Sequence, residues 1–550
     1  MVLNSGTGIT DHIDMLDKML EVITSRALTA VAVNAGGTGH AIGDIIQITA
    51  TGATSTIVCE LEVYSVSGGV IDGIRVYRGG AYTVDPTTIV ANPQSASSGS
   101  GISATFDLTF SAAKWSVNRR SQEGLSAVFA AAGTGYTVGD QLTVTLATGV
   151  QEFDSADAVF NVDSISGGGG TGPVLAVSIV SGSEGLYGEV PPNPVSVTGG
   201  TGSSCTLTVT WQDPPQTRQD NQVCMIEGEG LSGTDAIHVI IKPYAEVAGV
   251  NTAYNWQLLG ATGYNALLAI QSQTGIDATQ LTSLGDIPTT DKGSYFVLKD
   301  NDAGPDISWW LHTTGRRIIL VCKVESAATT YYTSMYVGFL NQLATETEYP
   351  YPLWICGTTS DRNRTWFDSS ELMGGIVEVI AFSAGDPQGP GYLREPDGLW
   401  VSYTAEGSGT GAQRNVESEW GIYPFMASTQ LSGSSQTVSI SSDVDWTGGA
   451  HDIIPSTGVP GTENILLKPT PGTGDDYYWL VAPIVVDQEA GKFLTSGYHA
   501  WGEIDGVFWF HRGNNAIVSE DRFVLSEKRY LIFANGNRTQ NWSYFALNED

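Results

Sequence analysis

Basic residues are the scarcest chemistry in this chain. Lys and Arg number 25 against 58 Asp and Glu, a formal net charge of −33 over 550 residues. A chain this acidic is repelled by phosphate backbones and anionic membrane surfaces, and it has no basic stripe, so no nucleic-acid partner is expected. Charged residues make up 15% of the chain, where about 25% is usual. The five cysteines, Cys59, Cys205, Cys224, Cys322 and Cys356, are odd in number and form no CxxC pair. Buried free thiols are the expectation, not a disulfide framework. No apolar run approaches the ~18 residues of a membrane-spanning helix, so no membrane insertion is expected. The opening Met1-Val2-Leu3-Asn4-Ser5-Gly6 has neither a basic nor an apolar leader segment. Synthesis and folding in a cytoplasm are therefore expected.

Catalytic patterns are missing as well. The seven histidines, His12, His40, His238, His312, His451, His499 and His511, form no HExxH or His-x-His pair, and no zinc spacing occurs. No Gly-x-Ser-x-Gly elbow exists, and Gly491-Lys492 is followed by Phe493, which rules out a phosphate-binding loop. Asp300-Asn301-Asp302-Ala303-Gly304-Pro305-Asp306 has the carboxylate density of a calcium loop. It lacks the glycine and glutamate placement of one, so a solvated turn is the default. The residues thus predict no catalytic, cofactor-binding or metal site, no cofactor and no intrinsic hydrolase activity. A carboxylate dyad of a glycosidase stays open, because sequence does not place two acids in space.

What the chain does have is glycine, 66 residues, against a usual share of about 7%. The glycines mark a long repeat. One copy runs Gly37-Thr38-Gly39-His40-Ala41-Ile42-Gly43-Asp44, then Gly79-Gly80-Ala81-Tyr82, then Gly99-Ser100-Gly101 before a strand ending at Phe110. The other runs Gly133-Thr134-Gly135-Tyr136-Thr137-Val138-Gly139-Asp140, then Gly185-Leu186-Tyr187, then Gly200-Thr201-Gly202 before a strand ending at Trp211. A period near a hundred residues is a duplicated domain, since solenoid units span about 20–50. Each final strand alternates with period two: Phe106, Leu108 and Phe110 in one, Leu207, Val209 and Trp211 in the other.

The fold expected is all-β. Residues 1–26 carry an N-terminal helix, 27–124 the first small β-sandwich or barrel with its linker, and 125–220 its repeat with a linker. Residues 221–550 form a large aromatic-rich β domain, either single or two interleaved. The helix opens at Thr10 or Asp11, closes near Arg26 and shows an apolar stripe of Ile13, Leu16, Leu20 and Ile23. It reads as a lid on the first module or as a docking helix for a partner subunit. Twelve of the 14 Trp lie beyond residue 220. Strands are expected at 237–241, 317–321 and 479–486, with long loops including Gly385–Gly391. If Trp309 and Trp310 lie on a strand they face opposite ways, which puts one of them at a domain or subunit contact. The candidate interface residues are therefore Ile13, Leu16, Leu20, Ile23, Trp309 and Trp310.

The paired Gly-Thr-Gly-x-x-x-Gly-Asp signatures, each feeding an apolar strand (Ile45-Ile46-Gln47-Ile48 and Gln141-Leu142-Thr143-Val144), resemble turn modules of tailed-bacteriophage virion structural proteins. The first copy departs from the commoner Tyr in having His40. The resemblance covers about the first two fifths of the chain and brings no catalytic residues with it. It implies a structural component of the tail, baseplate or fibre attachment, assembled in the bacterial cytoplasm, that mediates assembly or host contact. Partners implied are other virion proteins, copies of itself with a trimer favoured, and a host surface glycan or protein. A capsid decoration protein is the alternative, and a glycan-degrading tailspike enzyme the second.

Overall fold

The computed structural model describes residues 2–145, 149–152, 155–214, 222–230, 236–248, 251–276, 294–299, 306–325, 330–341, 353–358 and 365, separate strands between 388 and 487, and most of 499–549. The chain is mostly β, with one α-helix among the described residues.

The N-terminus supplies β1 (Val2–Ile9) and α1 (His12–Ile23). Asp11 caps the helix: its Oδ1 accepts from the backbone N–H groups of Ile13 at 2.8 Å and Asp14 at 2.9 Å. Thr24 closes it, two residues before the expected end.

The first module comprises β2 (Ala27–Thr38), β3 (Ile45–Ile48), β4 (Thr54–Ile57), β5 (Glu60–Ser67), β6 (Val70–Arg78), β7 (Ala81–Val84), β8 (Asn92–Ser97) and β9 (Ile102–Ser111). Its six-stranded antiparallel sheet runs β2-β9-β8-β3-β5-β6, with β4 and β7 paired separately. The sheet curls until β6 returns alongside β2, a near-closed barrel. At Gly36 an added Cβ would sit 2.2 Å from the Ile71 carbonyl oxygen, so only glycine fits where those strands meet.

The strand β10 (Trp115–Arg120) follows, where a linker was expected. The second module then repeats the first: β11 (Glu123–Thr134), β12 (Gln141–Val144), β13 (Val150–Gln151), β14 (Val159–Ile165), β15 (Val174–Ile179), β16 (Tyr187–Glu189), β17 (Val195–Thr198) and β18 (Ser203–Gln212). Its order is β11-β18-β17-β12-β14-β15, with β13 and β16 paired separately, strand for strand that of the first barrel.

The repetition reaches single hydrogen bonds. The Tyr82 hydroxyl accepts the Cys59 backbone N–H at 2.9 Å, and the Tyr187 hydroxyl accepts that of Ala158 at 2.8 Å. Each ring folds over a left-handed glycine, Gly80 at φ 74° and Gly185 at φ 67°, where a Cβ would strike the tyrosine ring. Each also meets an aromatic from the last strand edge-on, Phe110 at 5.1 Å and Trp211 at 4.9 Å. The barrels have separate cores, one around Leu61 and Phe106, the other around Phe160 and Leu207.

Both barrels are attached to a body of stacked sheets. One contains β10, β19 (Cys224–Gly228), β20 (Ile237–Ala248), β21 (Asn251–Ala261) and β22 (Ser294–Leu298) in that order. The other begins with β1, then β23 (Ile307–Thr314), β24 (Arg317–Glu325), β25 (Thr330–Asn341) and β26 (Leu353–Cys356), and continues through Gln388–Arg394 and Trp400–Ala405. The N-terminal strand is thus an edge of a sheet built from the middle of the chain. The strand 388–394 occupies part of the expected 385–391 loop.

A further sheet joins Trp479–Val481, Val507–His511, Tyr544–Asn548, Lys528–Ala534 and Arg522–Leu525. The single strand expected over 479–486 is two. Trp479–Val481 joins this sheet, while Pro483–Asp487 pairs with Gly421–Pro424 and His499–Ile504. Pro483 has no N–H to give a ladder, which suits it to the start of a strand.

Candidate interaction surfaces

The helix stripe is fully engaged inside the chain. Ile13, Leu16, Leu20 and Ile23 are buried, and so are Met15, Met19 and Val22 on the neighbouring arc. All but Ile13 share one core with Ile226, Val239 and Trp256 of the first body sheet, Leu311 and Ile318 of the second, and Ala81 of the first barrel. The Trp256 indole N–H donates to the His12 carbonyl at 2.8 Å. The helix is a plug between body sheets that also touches the first barrel.

Trp309 and Trp310 are adjacent on β23 and belong to two different contacts. Trp309 is 2% exposed within the helix core, its ring lying on Gly6 of β1, where an added Cβ would be 3.0 Å from the indole. Trp310 packs on Phe533, with ring centroids 4.9 Å apart, and on Tyr332 at 6.4 Å. Each joins parts of the same chain. The side chains of the eight Trp from Trp366 to Trp542 lie outside the described residues, as do residues 300–305 of the acidic loop.

The buried titratable groups are poorly suited to chemistry. All five cysteines are free and buried. Burial raises the Cys59 thiol to about 11 and the Cys224 thiol to about 12, which disfavours the nucleophilic thiolate. His12 is held down to about 3 by burial, and neither ring nitrogen has a hydrogen-bond partner. His312 is lowered well below the ordinary value by burial and then by Arg317. Among the described residues no group of three His, Cys, Asp or Glu is placed to hold a metal ion. A cleft of about 290 Å³ opens where the helix end, the base of the first barrel and β10 meet. The one charged side chain in its lining, Lys114, turns to Glu229 at 2.7 Å.

Two ionic clamps were invisible to sequence reasoning. At the second barrel, Arg119 of β10 meets Glu152 at 3.1 Å with both side chains fully buried. The same guanidinium donates to the Leu268 and Ala266 carbonyls, and Glu152 accepts the Ile270 N–H at 2.5 Å. Burial pushes the Glu152 carboxyl up, against the pull of Arg119. At the first barrel, Arg529 of the C-terminal sheet meets Glu62 of β5 at 2.5 Å and donates to the Val76 carbonyl of β6. Arg529 also meets Glu549 at 2.7 Å, and Arg522 and Arg529 lie over the Tyr77 ring at 5.0 and 5.7 Å. Burial opposes ionisation of Glu62, but Arg75 and Arg529 outweigh it and hold the carboxyl low.

The outer faces of the barrels differ. On the second barrel, Leu125 and Val128 of β11 and Leu175 of β15 are exposed, Val128 to 65% and Leu175 to 50%. β15 runs beside β11 across the unbonded seam of that barrel. By register, Val128, Ala130 and Leu175 correspond to Ala32, Asn34 and Asp72 of the first barrel. Residues 121 to 217 contain no Lys, Arg or His, but nine Asp and Glu. No protein-family model matches this chain, and neither does any curated protein.

Proposed function

We propose that this chain is a structural, non-enzymatic component of a tailed-bacteriophage virion, placed in the tail, baseplate or fibre attachment and acting in assembly or host contact. The observation that carries the reading is the pair of barrels of one topology, each held to the body by an arginine–glutamate contact, fully buried at the second barrel and partly buried at the first. Ionic clamps of this kind fix geometry more than they add stability, and fixed geometry is what a spacer between subunits requires. The net charge of −33 suits a position away from packaged DNA. Homo-oligomerisation, with a trimer favoured, belongs to the same reading, because long β chains with open edges need cover.

The test is immunogold labelling of purified phage particles with antibody raised against the recombinant chain. Label confined to the tail or its tip, in small symmetric sets, is the expected result. Label spread over the head would assign the chain to capsid decoration. Release of reducing ends from host polysaccharide by the recombinant chain would make it a tailspike enzyme instead.

A further inference from the structure

The second barrel exposes apolar side chains that its own fold does not require. The first barrel has the same strand order and carries Ala32, Asn34 and Asp72 where the second has Val128, Ala130 and Leu175. An isolated exposed apolar residue needs no explanation, but Leu125, Val128 and Leu175 lie on two strands that run side by side. Acids flank them. Asp163 on β14 accepts from the Ser178 hydroxyl of β15 at 2.8 Å, and the Glu184 carbonyl accepts the Gly124 N–H at the foot of β11.

On the first barrel Ala32, Asn34 and Asp72 are exposed as well, and a cationic contact lies beside them on the neighbouring stretch of β5 and β6. β5 and β6 there receive Arg529 on Glu62 and on the Val76 carbonyl, with Arg522 over Tyr77. Residues 121 to 217, which include the counterpart strands β14 and β15, contain no cation of their own.

We propose that the β11–β15 face of the second barrel docks a different protein, through a segment that combines apolar anchors with lysine or arginine. Charge selects this occupant. A second copy brings the same deficit of cations to the contact, whereas a basic segment gains from it while burying Val128 and Leu175. The inference rests on the virion reading only in taking that protein to be another virion subunit.

The test measures binding of a synthetic peptide alternating Leu and Lys to the full chain by fluorescence anisotropy, with a Leu–Glu peptide as control. The comparison variant carries first-barrel residues, V128A, A130N and L175D together, and its unfolding transition is checked against wild type. A docking face of this kind predicts binding of the Leu–Lys peptide alone, weakened by salt, and about tenfold or more weaker in the variant. The added carboxylate of Leu175→Asp makes the outcome decisive, because attraction to net charge alone would strengthen binding. Absence of binding, equal or tighter binding by the variant, or binding of the Leu–Glu peptide overturns the proposal. A concentration-dependent dimer that the variant loses assigns the face to a second copy instead. A negative peptide result with labelled tails rejects only this face. Peptide binding without labelled particles rejects only the virion reading.

Discussion

The two barrels are one fold put to two uses, and the difference lies outside their cores. Strand order, the folded-over tyrosine, the edge-on aromatic partner and the left-handed glycines are common to both. Surface chemistry is not. The first barrel presents Glu62 and Tyr77 to arginines of the C-terminal sheet, whereas the second is seated through a loop acid, Glu152, and leaves its outer strands apolar. Duplication preserves what folding needs, and the remaining positions record what each copy touches.

Breaking the clamps gives the largest expected effect. Arg119→Met leaves the buried Glu152 carboxyl without its cation and should destabilise the chain by about 3–5 kcal/mol. Pairing it with Glu152→Leu should recover much of that loss. Arg529→Met should cost less, since Glu62 keeps Arg75 at 3.0 Å and is 20% exposed at its side chain, and the buried Glu549 keeps Arg522 at 3.0 Å. Urea midpoints of the three variants test this order. Equal losses at the two clamps would show that the barrels are held more alike than their burial implies.

Acid should separate the body from the second barrel. His12 has an ordinary value near 6.5 when unfolded and about 3 when folded, so below pH 6.5 the unfolded chain takes up a proton that the folded chain refuses. His12 therefore costs nothing above pH 6.5, and stability falls as pH drops toward 3, by about 1.4 kcal/mol per unit. His312 acts in the same direction. Both lie in the body, and the second barrel has no histidine. Between pH 7.5 and 5 the His12 contribution amounts to about 2 kcal/mol. His12→Phe, filling the space beside Tyr254, should flatten the slope of stability against pH. An unchanged slope would place the acid-sensitive step elsewhere.

The barrels were legible in the sequence because their turns need glycine where φ is positive, so Gly37, Gly39 and Gly43 recur as Gly133, Gly135 and Gly139. Strand alternation supplied the rest of their all-β character. The body was legible only in composition. β1 reads Val2-Leu3-Asn4-Ser5-Gly6-Thr7-Gly8-Ile9, a loop by propensity, yet it pairs with β23 some three hundred residues away, Ser5 opposite Trp310. Gly6 is there to admit the Trp309 ring, a reason that no local pattern reveals. The stripe and the tryptophans read as candidate interface residues, but period and spacing do not distinguish a partner subunit from a distant part of the same chain. Arg119 with Glu152, and Arg529 with Glu62, were unreadable for the same reason: nothing local marks an arginine whose acid arrives through topology.

The shared tyrosine gives a finer test of equivalence. Tyr82→Phe and Tyr187→Phe each remove the acceptor of one buried backbone N–H. Each should cost about 1–3 kcal/mol, and the two losses should agree within about 0.5 kcal/mol if the barrels fold alike. Unequal losses, read as shifts in urea midpoint, would show that one barrel has found another partner for its N–H.

The smallest expected effect falls on the positions where the barrels differ most. V128A, A130N and L175D put first-barrel residues onto exposed sites of the second, away from its Phe160 and Leu207 core. Surface changes of this kind are usually within about 0.5 kcal/mol each. If the triple variant unfolds at the wild-type midpoint, Val128 and Leu175 contribute nothing to folding that Ala32 and Asp72 do not. Their apolar character is then free to serve a contact, which the peptide measurement reads directly. A loss of several kcal/mol would mean that the apolar strip closes the β11–β15 seam itself. The second barrel would then differ from the first in how it shuts rather than in what it binds.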